Sequence, residues 1–208
     1  MATDPTGYAG PHPDLRDQIC DMANMLAEQS RDRYDWPSRP FTREDMTILG
    51  QRTWNGITTI NHVIHGGGVS AILVTSTVEG KQYGGLVMAG CKPDSESWGL
   101  MSAGFGEASA EHGVRGDMTG SGYHCIGFHG STAGYLQNLY AVEIEYADGT
   151  IHRAQREDDD CTIVFAPVER WDRKDNDEVI RFLDVDGAVV HSESRYLGAG
   201  MGPPDGAS

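Results

Sequence analysis

Several features that would assign the sequence to a class of protein are missing from it. It has no apolar run of about 18 residues, so we do not expect it to span a bilayer. Only 16 lysines and arginines stand against 31 acids, and the formal net charge of −15 argues against nucleic acid and anionic membranes as partners. The start, Met1 to Pro5, lacks the basic and apolar regions of a secretory signal. We therefore expect a cytoplasmic protein.

The four cysteines, Cys20, Cys91, Cys125 and Cys161, lie far apart in the sequence. They form no Cys-x-x-Cys pair, so the usual spacing of a metal site is missing. We predict neither a metal nor another cofactor. Because no export signal is present to license disulfides, we predict free thiols, most of them buried.

The beginning of the sequence has the periodicity of helices. Residues 1–12 are predicted to be a disordered lead and residues 13–50 a helical segment. Within this segment, apolar residues at spacings of four, three and four indicate one amphipathic helix, and they are Leu15, Ile19, Met22 and Leu26.

A second, short helix is predicted to begin at Thr42. Its hydroxyl can cap the amide of Asp45, while Phe41 and Met46 occupy the positions of a hydrophobic staple. Gly50 is predicted to end this helix in the left-handed conformation.

After Gly50 the apolar period changes from about 3.6 to about 2, which favours strands over residues 51–197. Residues 198–208 are predicted to be a disordered tail. Hairpin turns are indicated at Glu79-Gly80, Asp148-Gly149 and Asp186-Gly187, and the two Asp-Gly pairs favour type I′ turns. The predicted strand segments are Ile57–Ile60, Val69–Val78, Tyr83–Met88, Cys125–Phe128, Tyr140–Tyr146, Cys161–Phe165 and Val179–Val185.

This pattern predicts a mainly β fold, namely a two-layer antiparallel sandwich or flattened barrel with an N-terminal amphipathic helix and one short capped helix. Charged residues are distributed unevenly along the sequence. Residues 51–140 hold 10 charged side chains and 18 of the 27 glycines, whereas residues 141–186 hold 14 acids and 6 bases. We interpret the first stretch as a partner surface or the buried centre of the sandwich, and the second as a solvated acidic shell.

The histidines suggest an alternative function, an enzyme that uses a histidine cluster and possibly a metal. Its members would be His62, His65, His112, His124 and His129. Strand parity weakens this hypothesis, because His124 and His129 lie five apart and should face opposite sides of a strand. The nearby tripeptide Arg115-Gly116-Asp117 is interpreted as a polar loop.

A local resemblance suggests another alternative. Gly127-Phe128-His129-Gly130 followed by Tyr135-Leu136 resembles the closing hairpin of jacalin-type lectins. The resemblance covers residues 127–136 and implies a sugar-binding loop beside them, although the aspartate of that family falls on Gln137. A small-ligand or carbohydrate-binding β module is therefore kept open.

The leading hypothesis is a non-catalytic binding or assembly protein that meets a protein partner, or another copy of itself, through the glycine-rich region of low charge. The proposed surface residues are His62, His65, His124, His129 and Tyr135. No catalytic residue can be assigned from the sequence.

Overall fold

The computed structural model describes residues 14–58, 65–91, 97–108, 113–120, 123–130, 138–167 and 177–196. One α-helix, α1 (Arg16–Gln29), and one 3-10 turn (Arg43–Asp45) precede the strands in this part of the chain. The strands are β1 (Met46–Thr58), β2 (His65–Val78), β3 (Lys81–Cys91), β4 (Trp98–Glu107), β5 (Val114–Gly120), β6 (Tyr123–His129), β7 (Ala141–Tyr146), β8 (Ile151–Gln155), β9 (Cys161–Pro167), β10 (Asp177–Leu183) and β11 (Val189–Tyr196).

The strands form three antiparallel sheets. Sheet 1 has the order β1-β2-β3-β4, sheet 2 the order β5-β6-β9, and sheet 3 the order β11-β10-β7-β8. The prediction of a mainly β, antiparallel sandwich with an N-terminal helix is confirmed. Over the described ranges, no helix is both long and apolar enough to cross a membrane.

Three buried apolar clusters show how the layers stack. The first joins α1 to sheet 1, the second joins sheet 1 to sheet 2, and the third joins sheet 2 to sheet 3. Sheet 2 is therefore covered on both faces, which explains why β6 and β9 are buried along almost their whole length. Wholly buried members, from the first cluster to the third, are Ile19, Ala23, Ile72, Leu73, Leu86, Cys125, Ile126, Ile144 and Phe182.

Glycine lets sheets 1 and 2 approach each other closely. A Cβ atom added to Gly116 of β5 would lie 2.2 Å from the Cβ of Leu86 and 2.6 Å from its backbone nitrogen. These distances leave no room for any side chain. In the described part of the glycine-rich stretch, most of β3 and β6 is buried, which agrees with the second interpretation of residues 51–140.

The capped turn is present but shorter than predicted. The carboxylate of Asp45 accepts hydrogen bonds from the amide of Thr42 at 2.7 Å and from its hydroxyl at 2.9 Å. The prediction that Gly50 ends a helix is wrong, because Gly50 lies within β1 and pairs with Leu73. A Cβ atom at Gly50 would meet the sulfur of Cys161 at 2.5 Å, so packing against β9 requires the glycine there.

The three predicted hairpin turns are present, but the two Asp-Gly turns are not of the predicted type I′. Glu79 and Gly80 both have positive φ, 54° and 77°, as a type I′ turn requires. In the two Asp-Gly turns only Gly149 and Gly187 have positive φ. The carboxylate of Asp148 there accepts the amide of Thr150 at 2.9 Å, which favours a longer loop.

Candidate functional site

Among the described strands of the glycine-rich stretch, β4 is the least buried. β4 is the last strand of sheet 1, and its nine residues other than the buried Phe105 are exposed or partly exposed. Its sequence, Trp-Gly-Leu-Met-Ser-Ala-Gly-Phe-Gly-Glu, carries one charged residue, Glu107, at the very end. In the described part of the chain, no strand pairs with its outer side.

The hydrogen bonds of β3 show which backbone groups of β4 face outward. The amide of Ala108 donates to the carbonyl of Gln82 at 2.8 Å. Along an antiparallel pair, the residues that bond to the neighbour alternate with residues that point away from it. The amides and carbonyls of Ala103, Phe105 and Glu107 therefore point away from β3, toward the open edge.

The other exposed edge strands carry charged side chains, which is how natural sheets prevent unwanted pairing. Arg52 on β1 bonds to the carboxylate of Asp159 through two nitrogens at 2.8 Å. The edge strand β9 is uncharged, but it is buried beneath its neighbours. The charged residues on the remaining edges are Arg115 and Asp117 on β5, Arg153 on β8, and Glu193 and Arg195 on β11.

A bulge divides β4 into two parts. Met88 pairs with Ser102 while the next residue, Ala89, pairs with Leu100, so Met101 is the extra residue. The segment after it, Ser102–Glu107, is regular and contains two of the exposed or partly exposed glycines. A Cβ atom at Gly106 would have no other atom within 4 Å, and one at Gly104 would have its nearest neighbours at 3.9 Å.

A second feature is a charged network between sheets 2 and 3. His124 of β6 is wholly buried. Its Nε2 lies 2.9 Å from an oxygen of Asp117 on β5, and its Nδ1 lies 2.9 Å from Oε2 of Glu178 on β10. Oε1 of Glu178 is equally close to Nδ1 but lacks hydrogen-bond geometry. The imidazole thus links three strands through two carboxylates.

Arg115 extends this network toward the edge of sheet 3. Its guanidinium donates two hydrogen bonds to Glu193 of β11, at 3.0 and 2.9 Å, and lies 3.5 Å from the carboxylate of Asp117. The same group lies over the rings of Phe128 and Phe182 at 5.3 and 5.9 Å, within range of a cation–π interaction.

The two carboxylates favour the protonated form of His124. Burial opposes the charge, but hydrogen bonds to Asp117 and Glu178 outweigh burial and raise the pKa of His124 above its ordinary value. Both ring nitrogens of the imidazolium donate, so neither is available to take a proton from a substrate. This arrangement suits a structural link between sheets.

The thiols have no features of a nucleophile. Burial raises the pKa of Cys125 well above its usual value and that of Cys161 to about 12, so both are held as thiols. All four cysteines are free; three are buried, and Cys91 is partly buried. Over the ranges that the structure covers, no group of three or more His, Cys, Asp and Glu side chains is arranged to hold a metal.

Two surface cavities have volumes typical of small-ligand sites, about 450 and 480 Å³. The first lies beside Arg156 and Asp184, and the second lies between α1 and the segment from Pro37 to Phe41. Arg156 beside the first cavity pairs with Asp160, and Arg39 beside the second pairs with Asp45, while Arg31 also lines the second cavity. The charges of Arg156 and Arg39 are therefore already paired within the protein.

The predicted surface residues are not brought together by the described structure. His62, His112 and Tyr135 lie outside the described residues, and of His65 only its position at the start of β2 is described. His124 cannot contribute to a partner surface, because its side chain is wholly buried and both of its nitrogens are engaged. His129 is partly buried at the end of β6, where it pairs with Val114.

Sequence reasoning missed the two partners of His124. Asp117 was interpreted as part of a polar loop, but residues 115–117 belong to β5, and Gly116 packs against sheet 1. Glu178 was assigned to a solvated acidic shell, but its side chain has no exposed surface. The alternation from Val114 to Met118 was the available signal for β5; nothing local distinguishes Glu178 from the acids before it.

No protein-family model matches the chain, and no curated protein is significantly similar to it.

Proposed function

We propose that this protein is a non-catalytic binding or assembly protein that accepts an extended strand at the outer edge of β4. The observation that carries the proposal is the contrast between β4 and the other edges. Among the described edge strands, β4 alone is exposed over most of its length without a charged residue before its last position. An unguarded edge is the surface used when a peptide adds a strand to a sheet.

The glycines of the regular segment support the same proposal. Gly104 and Gly106 carry no side chain that would obstruct a second backbone beside β4. The chain is strongly acidic, with a formal net charge of −15, so an acidic partner would be repelled over most of the surface. The β4 edge is a place where such a partner could approach without meeting a carboxylate before Glu107.

The enzyme alternative receives no comparable support from the described residues. His124 is engaged on both nitrogens by carboxylates, and the buried thiols are held protonated. A chemical role for His124 would require it to leave a position that links three strands.

The experiment that tests the proposal uses an alternating Thr-Val peptide with a fluorophore at one end, and anisotropy reports binding. We expect saturable binding that is lost when alternate peptide amides are N-methylated, since strand addition depends on main-chain hydrogen bonds. Gly106→Lys should weaken binding at least about tenfold, or about 1.4 kcal/mol, because an edge lysine obstructs pairing.

The matched control is Val190→Lys, which adds the same charge to β11, an exposed edge strand of sheet 3. It should bind the peptide as the wild type does. Binding that survives N-methylation, or that falls equally in both variants, would refute strand addition at β4.

We also propose a reducing, cytoplasmic location. The four free thiols support it, because free thiols persist where glutathione and thioredoxin keep them reduced. Titration of the unfolded protein, purified without reductant, should find all four thiols reactive. A disulfide found in that titration would contradict this location.

A further inference from the structure

We infer that the second cavity, between α1 and the segment from Pro37 to Phe41, binds a free α-amino acid with an apolar side chain. Arg31 would bind the carboxylate of this ligand, Glu28 would bind its ammonium group, and the apolar part of the lining would contact its side chain. None of the residues that line the cavity belongs to β4. The inference therefore goes beyond the proposed function and does not depend on it.

Contacts within the protein fix the shape of this cavity. The side chain of Asn24 on α1 bonds to both backbone groups of Phe41: its Nδ2 donates to the carbonyl at 3.0 Å, and its Oδ1 accepts from the amide at 2.8 Å. Before the segment, the indole of Trp36 donates to the hydroxyl of Ser30 at 2.9 Å and stacks on the ring of Tyr83. Both ends of the segment are thus held, which lowers the ordering cost of binding a ligand beside it.

Part of the cavity lining is apolar. Ala27, Pro37 and Phe41 line the cavity and are buried, and the exposed Pro40 adds apolar surface beside them. The volume of about 480 Å³ is typical of small-molecule sites, in which apolar walls carry a few polar groups that orient the ligand. This lining favours a ligand with an apolar group.

The cavity also presents two opposite charges that the protein itself does not pair. Arg39 is already neutralised by Asp45, whose two oxygens accept from its guanidinium at 2.7 Å each. Among the residues that the structure describes, the side chains of Glu28 and Arg31 form no hydrogen bond or ion pair, either with each other or with a third residue. One anion and one cation therefore remain for a ligand.

These two charges match the two charged groups of an α-amino acid. A guanidinium binds a carboxylate through two parallel hydrogen bonds. An ammonium group is favoured beside Glu28, because α1 ends at Gln29 and its last turn carries no basic residue to offset the negative end of the helix. A zwitterion adds no net charge to a chain of −15, whereas a phosphate would be repelled both by Glu28 and by the chain as a whole.

The test measures binding of L-leucine to the full chain by isothermal titration calorimetry. Three analogues each lack one feature: N-acetyl-L-leucine lacks the ammonium group, L-leucinamide lacks the carboxylate, and glycine lacks the apolar side chain. We expect L-leucine to bind saturably and each analogue to bind at least about tenfold more weakly, because each has lost a charged hydrogen bond or an apolar contact.

Two variants test the residues assigned to the charges. Arg31→Gln and Glu28→Gln should each weaken L-leucine binding at least about tenfold, whereas a general charge effect would move the two affinities in opposite directions. Both side chains are exposed, so the variants should fold as the wild type does. The matched control is Arg33→Gln, which removes the same charge from an exposed residue outside the lining and should bind L-leucine like the wild type.

A wild type that binds no L-leucine at concentrations up to its solubility limit would overturn the inference. Equal losses in Arg31→Gln and Arg33→Gln would overturn it as well. N-acetyl-L-leucine that binds as tightly as L-leucine would exclude an amino acid as the ligand, because Glu28 would then have no group to bind. None of these outcomes bears on the Thr-Val peptide, which tests the edge of β4 separately.

Discussion

The two faces of sheet 2 are built from alternate residues of the same strands, yet they are stabilised by different interactions. The face toward sheet 1 is apolar and closely packed, with Gly116 and Cys125 against Leu86 and its neighbours. The face toward sheet 3 combines an apolar cluster, which includes Ile126 and Phe128, with a charged network of Arg115, Asp117 and His124. One strand, β5, supplies both faces through single-residue alternation.

The two faces should therefore be destabilised by different kinds of substitution. A closely packed apolar face is sensitive to added volume, because it has no space to relax. A buried charged face is sensitive to the loss of one partner, because the remaining charge is then left uncompensated. Substitutions on each face can therefore separate the two kinds of sensitivity.

The largest effect is expected on the charged face. His124→Ala would leave the buried carboxylate of Glu178 and the partly buried carboxylate of Asp117 without their shared donor. We expect the free energy of unfolding to fall by about 3–5 kcal/mol, the usual cost of breaking a buried ion pair. Urea denaturation followed by circular dichroism measures the change. Adding Glu178→Gln to His124→Ala should recover part of the loss, and a double variant no more stable than the single one would contradict this explanation.

The stability that His124 contributes should depend on pH, and its pKa shift fixes the direction of that dependence. The folded pKa of His124 is raised above its ordinary value of 6.5, so its contribution is complete below about pH 6.5 and is lost as pH rises through the folded pKa. The groups that face the His124 imidazole are the carboxylates of Asp117 and Glu178. Arg115 acts on it indirectly, by pairing with Asp117, and the phenol of Tyr146 lies near Glu178. The stability gap between the wild type and His124→Gln should narrow on raising the pH, by at most about 1.4 kcal/mol per unit.

A smaller effect is expected on the apolar face. Gly116→Ala would force a methyl group into the backbone and Cβ of Leu86, 2.2 Å away at the nearest atom. We expect a loss of about 1–3 kcal/mol, as for other overpacked cores. Gly99→Ala in β4 is the matched control, since no atom lies within 4 Å of its added Cβ. Its effect should stay within about 0.5 kcal/mol, as is usual for surface changes. Equal losses in the two variants would show that glycine itself, and not the close approach of two sheets, sets the stability.

The outer edge of β4 has neither close packing nor a charged network. It is neither packed against another layer on its outer side nor guarded by charge before Glu107. Substitutions there should change association while leaving the melting temperature nearly unchanged. The variant Gly106→Lys described above tests this expectation.

Local sequence patterns predicted a substantial part of the fold. The period-2 segments at Val69–Val78, Tyr83–Met88 and Cys161–Phe165 lie within β2, β3 and β9. The patterns did not predict β4, β5, β8 and β11, and in β4, β8 and β11 the period is obscured by glycines or by polar residues. Of β1 they predicted only the last two residues, Ile57 and Thr58, because the residues up to Gly50 were assigned to the helical segment. A glycine gives no apolar signal, so β4 was not recognisable as a strand, whereas the alternation from Val114 to Met118 in β5 was a usable signal that was interpreted as a polar loop.

The sequence by itself determined the antiparallel β class, the N-terminal helix and the positions of three hairpin turns, because period and turn chemistry are local properties of the chain. Only the tertiary structure decided that there are three sheets in the described residues, that His124 meets Asp117 and Glu178, and that β4 is an edge. These outcomes depend on which sheet packs against each face of a strand. That choice is made by contacts between residues distant in sequence, which no local pattern encodes.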